Sequence, residues 1–97
     1  MLDKLTREDF APRAGERFRV EEAGVDLVLA ETVGLSAREG NQGPWREPFT
    51  LLFRGPKSPV LPQRIYSLEH EALGRLEIFL VPIGPDEDGM RYEAVFN

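Results

Sequence analysis

The chain has 97 residues, 41% of them hydrophobic, and a formal net charge of −5 at pH 7. This length predicts a single domain over residues 1–97. The absence of cysteine excludes disulfides and thiolate metal sites, and His70, the only histidine, excludes a multi-histidine metal site. The excess of acidic residues argues against a nucleic-acid-binding protein and against attachment to an anionic membrane.

The N-terminal sequence Met1 to Thr6 contains no apolar run of signal-peptide length. No segment approaches the roughly 20 apolar residues that a membrane-spanning helix needs. We therefore expect synthesis in the cytoplasm without membrane insertion. Assembly at a surface or outside the cell, by export without a cleaved signal, stays open.

The first predicted element is a short helical turn at residues 6–10. Thr6 can cap it, and Leu5 and Phe10 stand at the two ends of a hydrophobic staple. Pro12 and Gly15 allow little more than one turn. The turn is expected to plug one end of a β structure through Leu5 and Phe10, and the alternative is a loop anchored by Phe10.

Two strands with alternating apolar residues follow. The first covers residues 17–21, and the second covers residues 25–33 after a turn at Ala23-Gly24. The two should form a hairpin. One face of the second strand is expected to carry the apolar residues Val25, Leu27, Leu29 and Val33.

Residues 34–48 read as a long loop that contains Trp45. Trp45 is either an interface residue or a lid on the end of the barrel. The third strand is predicted over residues 49–54. Proline then recurs at every third position from Pro56 to Pro62, which favours a stiff extended crossover over a recognition surface.

The fourth and fifth strands are predicted over residues 63–71 and 75–83, joined by a hairpin loop at residues 71–74. Leu76, Ile78 and Leu80 share one face of the fifth strand. The other face carries Phe79, Val81 and Ile83. Apolar residues on both faces predict that this strand is central or that its second face meets a partner.

A turn over residues 84–89 precedes a sixth strand over residues 90–97. The expected fold class is all-β, with about six mostly antiparallel strands in a small barrel or sandwich and one short N-terminal helical turn. The sixth strand is expected to be locked into the sheet, so that deletion of residues 95–97 should prevent stable folding.

The chemistry-bearing residues give no catalytic, cofactor or metal site that stands out. Asp86 to Gly89 could bind calcium, but Asp-Gly between strands is more typical of a hairpin turn. His70, flanked by Glu69 and Glu71, is expected to be a solvated hairpin histidine, on the opposite strand face from Ser67. Arg54 either binds an anion or pairs with a nearby acid. The candidate interface residues are Trp45, Arg46, Arg54, Phe79 and Val81.

Six segments in the second half of the chain carry a family resemblance. They are Glu47-Pro48-Phe49-Thr50-Leu51-Leu52-Phe53-Arg54-Gly55-Pro56, Leu61-Pro62-Gln63, Ile65-Tyr66-Ser67-Leu68-Glu69-His70, Leu73-Gly74, Phe79-Leu80-Val81-Pro82-Ile83 and Tyr92-Glu93-Ala94-Val95-Phe96-Asn97. Together they resemble a family of small stand-alone bacterial domains of unknown function. Members of that family are often encoded near phage-tail-collar proteins of the microcystin-dependent type. The resemblance implies a structural or accessory role beside tail-fibre-like surface proteins, and it carries no catalytic residue.

The leading functional hypothesis is a non-enzymatic structural or accessory protein that assembles with itself, as a homo-oligomer, or with a tail-collar-like protein. The alternative is a small-molecule or carbohydrate-binding barrel with its mouth near Trp45, Arg46 and Arg54. An enzyme would need a pair such as His70 with Glu69 or Glu71 in a cleft. We expect no enzymatic activity and no cofactor.

Overall fold

A computed structural model describes residues 7–34 and 49–96. Six antiparallel strands close into a barrel in the order β1-β2-β3-β6-β5-β4. The predicted fold class is confirmed, with the barrel selected over the sandwich. The described helices are too short and too polar to cross a membrane. The elements are helix α1 (Arg7–Phe10), a 3₁₀ turn (Ala11–Arg13), β1 (Arg17–Val20), β2 (Val25–Gly34), β3 (Phe49–Gly55), β4 (Arg64–His70), β5 (Gly74–Asp86) and β6 (Gly89–Phe96).

The barrel consists of two three-stranded meanders, β1-β2-β3 and β4-β5-β6, that meet at two seams. The β3–β6 seam is long, with seven residue pairs from Phe49↔Phe96 to Gly55↔Met90. The β1–β4 seam has only two pairs, Arg19↔Glu69 and Val20↔Leu68. Closure therefore depends unequally on the two seams.

The core lies inside the barrel because alternate side chains of the strands point inward, and those that do are mostly apolar. Phe10 of helix α1 is fully buried and plugs one end. Its ring centroid lies 6.4 Å from that of Phe18, 5.8 Å from that of Phe49 and 5.7 Å from that of Phe96. The plug predicted for Phe10 is thus confirmed, whereas Leu5 and Thr6 lie outside the described residues.

The proline-rich segment crosses from β3 to β4, which are not neighbours in the barrel. Leu61 within it is buried, and its N–H donates to the Tyr92 hydroxyl at 2.8 Å. The Tyr66 hydroxyl donates to the Pro62 carbonyl at 2.6 Å. These contacts confirm the predicted crossover and tie it to the barrel.

Val33 does not face the core as the alternation predicted. The pairing of β2 with β3 shifts by one residue between Leu29 and Glu31. Such a bulge sends the following residues to the other face of the sheet. Val33 consequently lies on the outside, 36% exposed.

The turn predicted over residues 84–89 is wrong in its extent. Strand β5 continues to Asp86 and β6 starts at Gly89, so only Glu87 and Asp88 form the turn. The pairing of β5 with β6 shifts by one residue between Pro82 and Gly84. The Asp86 carboxylate then closes the turn by accepting the N–H groups of Asp88 at 2.8 Å and Gly89 at 3.1 Å.

Candidate functional site

An apolar surface lies on the outer face of β4, β5 and β6. Ile65, Phe79 and Val95 are 57%, 47% and 49% exposed. Ile65 pairs directly with Phe79 across β4 and β5. Val81 pairs with Glu93, and two residues further along this register Phe79 comes beside Val95. We call Ile65, Phe79 and Val95 the outer row.

The outer row exists because β5 is apolar on both faces while only one face can enter the barrel. Leu76, Ile78 and Leu80 point inward and are at most 5% exposed. Phe79 and Val81 alternate with them and therefore point outward. Val81 is half-buried, and Phe79 is 47% exposed. The strand is thus flanked by neighbours on both edges, yet its second face is open.

Arg54 lies on the outer face of β3 and forms an ion pair with Asp86 of β5. The shortest distance between the guanidinium and the carboxylate is 2.6 Å. The hydrogen bond from Arg54, together with the turn N–H groups, lowers the pKa of Asp86 below its usual range, and the same bond raises the pKa of Arg54. Of the two interpretations of Arg54, pairing with an acid is the one observed.

Around the acidic turn beside this ion pair, as elsewhere in the described part of the chain, no group of three or more histidine, aspartate or glutamate side chains is placed to hold a metal ion. The Asp86 carboxylate instead binds Arg54 and the turn backbone. A cleft of about 510 Å³ lies next to Arg54, with Asp26 and Asp88 in its walls. Its mixed charges give it no clear preference for an anion.

His70 is buried, 7% exposed, so its assignment as a solvated hairpin histidine is wrong. Its Nδ1 accepts the N–H groups of Ala72 at 3.0 Å and Leu73 at 3.1 Å. Because Nδ1 is an acceptor, Nε2 carries the proton and donates to Glu16 Oε1 at 2.6 Å. The histidine therefore caps the β4–β5 hairpin and anchors the segment before β1.

The partner of His70 is Glu16, 54 positions away, and neither of its sequence neighbours. Glu69 points to the outer face, opposite His70, because successive strand residues alternate. Ser67 likewise lies on the opposite face from His70, as predicted. A shallow cavity of about 450 Å³ adjoins the histidine, lined by Arg13, Gly15, Glu16, Arg17, His70, Glu71 and Ala72.

The structure brings together Phe79 and Val81 of the candidate interface residues, and places Arg54 on the same outer surface, two strands away from β5. Trp45 and Arg46 lie outside the described residues. Sequence reasoning missed Ile65 and Val95. A predicted register between the last three strands would have found them, since both align with Phe79.

A comparison with protein families matches residues 5–96 to the domain of unknown function DUF6916. No curated protein and no solved structure matches the chain. The match spans nearly the whole sequence and agrees with the expectation of an unknown-function family. The chain belongs to the DUF6916 family.

Proposed function

We propose that this protein is a non-enzymatic assembly module that binds another protein, or a second copy of itself, through the outer row. The observation that carries the proposal is the exposure of Ile65, Phe79 and Val95 side by side on a regular sheet. Contiguous exposed apolar side chains on a folded domain are typical of interaction surfaces.

The filled interior of the barrel supports this function over ligand binding inside it. Large side chains occupy the inside, among them Phe18, Phe53 and Tyr92, each at most 1% exposed. The alternative, a small-molecule or carbohydrate site near Arg54, has less support because Arg54 is paired with Asp86.

A structural role for His70 also favours a non-enzymatic protein. Both ring nitrogens are engaged, one by backbone N–H groups and the other by Glu16. A general base needs a free nitrogen within reach of a substrate proton. The hydrogen bonds of His70 instead fit a structural role, in which the histidine caps the β4–β5 hairpin.

The partner we favour is a tail-collar-like surface protein of a bacterium, following the family resemblance in β3 to β6. Such a role needs a domain that associates through a defined surface. A closed barrel has no unpaired strand edges, so association is left to exposed side chains such as those of the outer row. A homo-oligomer built through the same face is the other form of this proposal.

The test compares two double variants by sedimentation equilibrium and by titration with a collar protein encoded beside the gene. The double variant Ile65→Thr with Phe79→Thr removes apolar area from the outer row. Threonine is itself favoured in strands, so the sheet should be retained. Val28→Thr with Val60→Thr is the control, because both valines are exposed elsewhere, at 36% and 51%. We expect the first variant alone to lose association. A wild-type protein that stays monomeric at high concentration and does not bind the collar protein would overturn the proposal.

A further inference from the structure

Two glutamates flank the outer row along the strand direction. Glu77 precedes Phe79 by two residues on β5, and Glu93 precedes Val95 by two residues on β6. Two residues along a strand span about 7 Å, and side chains with this spacing share a face. Because β5 and β6 are antiparallel, the two carboxylates lie on opposite sides of the row.

These carboxylates have no cationic partner among the residues that the structure describes. Within residues 7–34 and 49–96, neither Glu77 nor Glu93 forms an ion pair. Three arginines of the outer surface are already paired with other acids. Arg19 pairs with Asp26 at 3.3 Å, Arg75 with Glu21 at 3.3 Å, and Arg54 with Asp86 at 2.6 Å.

We propose that the outer row receives a cationic amphipathic segment of another protein, with apolar side chains over Phe79 and lysines or arginines over Glu77 and Glu93. This inference rests on the proposed function and specifies the chemistry of its partner. The apolar centre supplies the contact area, and the two unpaired carboxylates select positive flanks.

The charge also argues against a second copy as the occupant. Each copy carries a net charge of −5 and would bring the same unpaired glutamates to the contact. Like charges facing each other across an interface oppose association. A partner of opposite charge meets no such repulsion.

The test uses two short synthetic peptides of alternating leucine and a charged residue, with proline at both ends to prevent self-assembly. One peptide carries lysine and the other carries glutamate. The ¹⁵N-labelled full chain is titrated with each, with NMR shift mapping and calorimetry at low and high salt. We expect the lysine peptide alone to bind, with shifts centred on Ile65, Phe79 and Val95 and weaker binding at high salt.

Charge variants then separate the partner's chemistry from the surface itself. The double variant Glu77→Gln with Glu93→Gln should weaken binding of the lysine peptide roughly three- to tenfold, as expected for the loss of two exposed ion pairs. Glu71→Gln with Glu87→Gln is the matched control, because both glutamates are exposed in turns, and it should bind as wild type does.

Three results overturn the inference, and they bear differently on the proposed function. If Phe79→Thr abolishes binding but the Glu77 and Glu93 variant does not weaken it, the partner is not selected by charge and the proposed surface survives. If neither variant changes binding of the lysine peptide, the proposed interaction surface is refuted as well. If the free protein dimerises through the row and the charge variant strengthens that dimer, a second copy is the occupant.

Discussion

At the residue scale, folding shifts the pKa values of two adjacent glutamates in the β1–β2 turn in opposite directions. Both oxygens of the Glu22 carboxylate accept the Ser67 N–H, at 3.0 and 3.1 Å, and this bond lowers the pKa of Glu22. A hydrogen bond with Glu69 raises the pKa of Glu21. Folding therefore favours the charged form of Glu22 and the protonated form of Glu21.

We predict that Glu22→Gln lowers the thermal midpoint by a few degrees at pH 7. A carboxyl whose pKa is lowered by folding adds stability above its unfolded pKa, about 4.3, and that stability is lost as the pH falls through the folded value. The difference between the variant and wild type should therefore shrink as the pH falls towards 3. Calorimetric scans from pH 7 to pH 3 measure it.

Glu21→Gln is the matched control for Glu22→Gln. A carboxyl with a raised folded pKa contributes stability that is lost as the pH rises, so its replacement should leave the midpoint at pH 7 unchanged or higher. The lost ion pair with Arg75 is exposed and adds little. An equal loss in both variants would contradict the assignment.

Contacts between residues that are distant in the chain could not be predicted from the sequence. The burial of Phe18 and Phe53 can be inferred from the two-residue alternation of β1 and β3. The partners of His70 and Ser67, which are Glu16 and Glu22, depend on how β1 meets β4. No local pattern encodes that meeting.

At the element scale, β6 is the strand on which both the core and a seam depend. It pairs with β3 on one edge and with β5 on the other. Phe96 near its end is 6% exposed and stacks on Phe49, with centroids 4.7 Å apart and planes 7° from parallel. Loss of this residue removes part of the plugged end of the barrel.

We predict that Phe96→Ala costs about 3–5 kcal/mol of unfolding free energy, the usual cost of truncating a buried phenylalanine. Deletion of residues 95–97 should leave no cooperative transition, because it also shortens the β3–β6 ladder. Urea denaturation followed by circular dichroism measures both. Val95→Thr is the control, because Val95 faces outward in the same strand, and it should change stability by less than about 0.5 kcal/mol. A truncated protein that still unfolds cooperatively would refute the prediction.

The strands were largely predictable as elements, and their irregularities were not. Alternation located β3, β4 and β6 to within two residues. The bulges near Ala30 and Ile83 were missed because an inserted residue leaves the composition of a strand unchanged. The first bulge turned Val33 outward, and the second lies just before the part of β5 that was predicted to be a turn.

At the scale of the whole molecule, the two meanders have equivalent positions in the barrel. Exchanging β1-β2-β3 with β4-β5-β6 leaves the cyclic strand order unchanged. The middle strand of each meander, β2 or β5, is its longest and carries the pairing shift. The seams break this equivalence, because β3 and β6 form seven pairs whereas β1 and β4 form two.

The sequence did not distinguish a closed barrel from a sandwich, because the β1–β4 seam that closes the barrel is short. Hairpins are local and can be inferred from turns and alternation. The β1–β4 seam joins segments that lie far apart in the chain, and β1 itself has only four residues. A side chain extends the seam, since Glu22 accepts the Ser67 N–H one residue beyond the last residue pair, Val20↔Leu68.

We predict that the barrel opens first at the β1–β4 seam. Local opening requires least free energy where the fewest backbone hydrogen bonds must break. Amide hydrogen exchange followed by NMR should show the seam amides of Glu21 and Ser67 exchanging at least about tenfold faster than those of Leu51 and Phe53 at the centre of β3, a difference of about 1.4 kcal/mol in opening free energy. Glu22→Gln should accelerate exchange at Ser67 further while leaving β3 less affected, because the variant removes a charged acceptor from this seam alone. Uniform protection around the barrel would show that the two seams are equally strong. Faster exchange in β3 than at Ser67 would show that the β3–β6 seam is the weaker one.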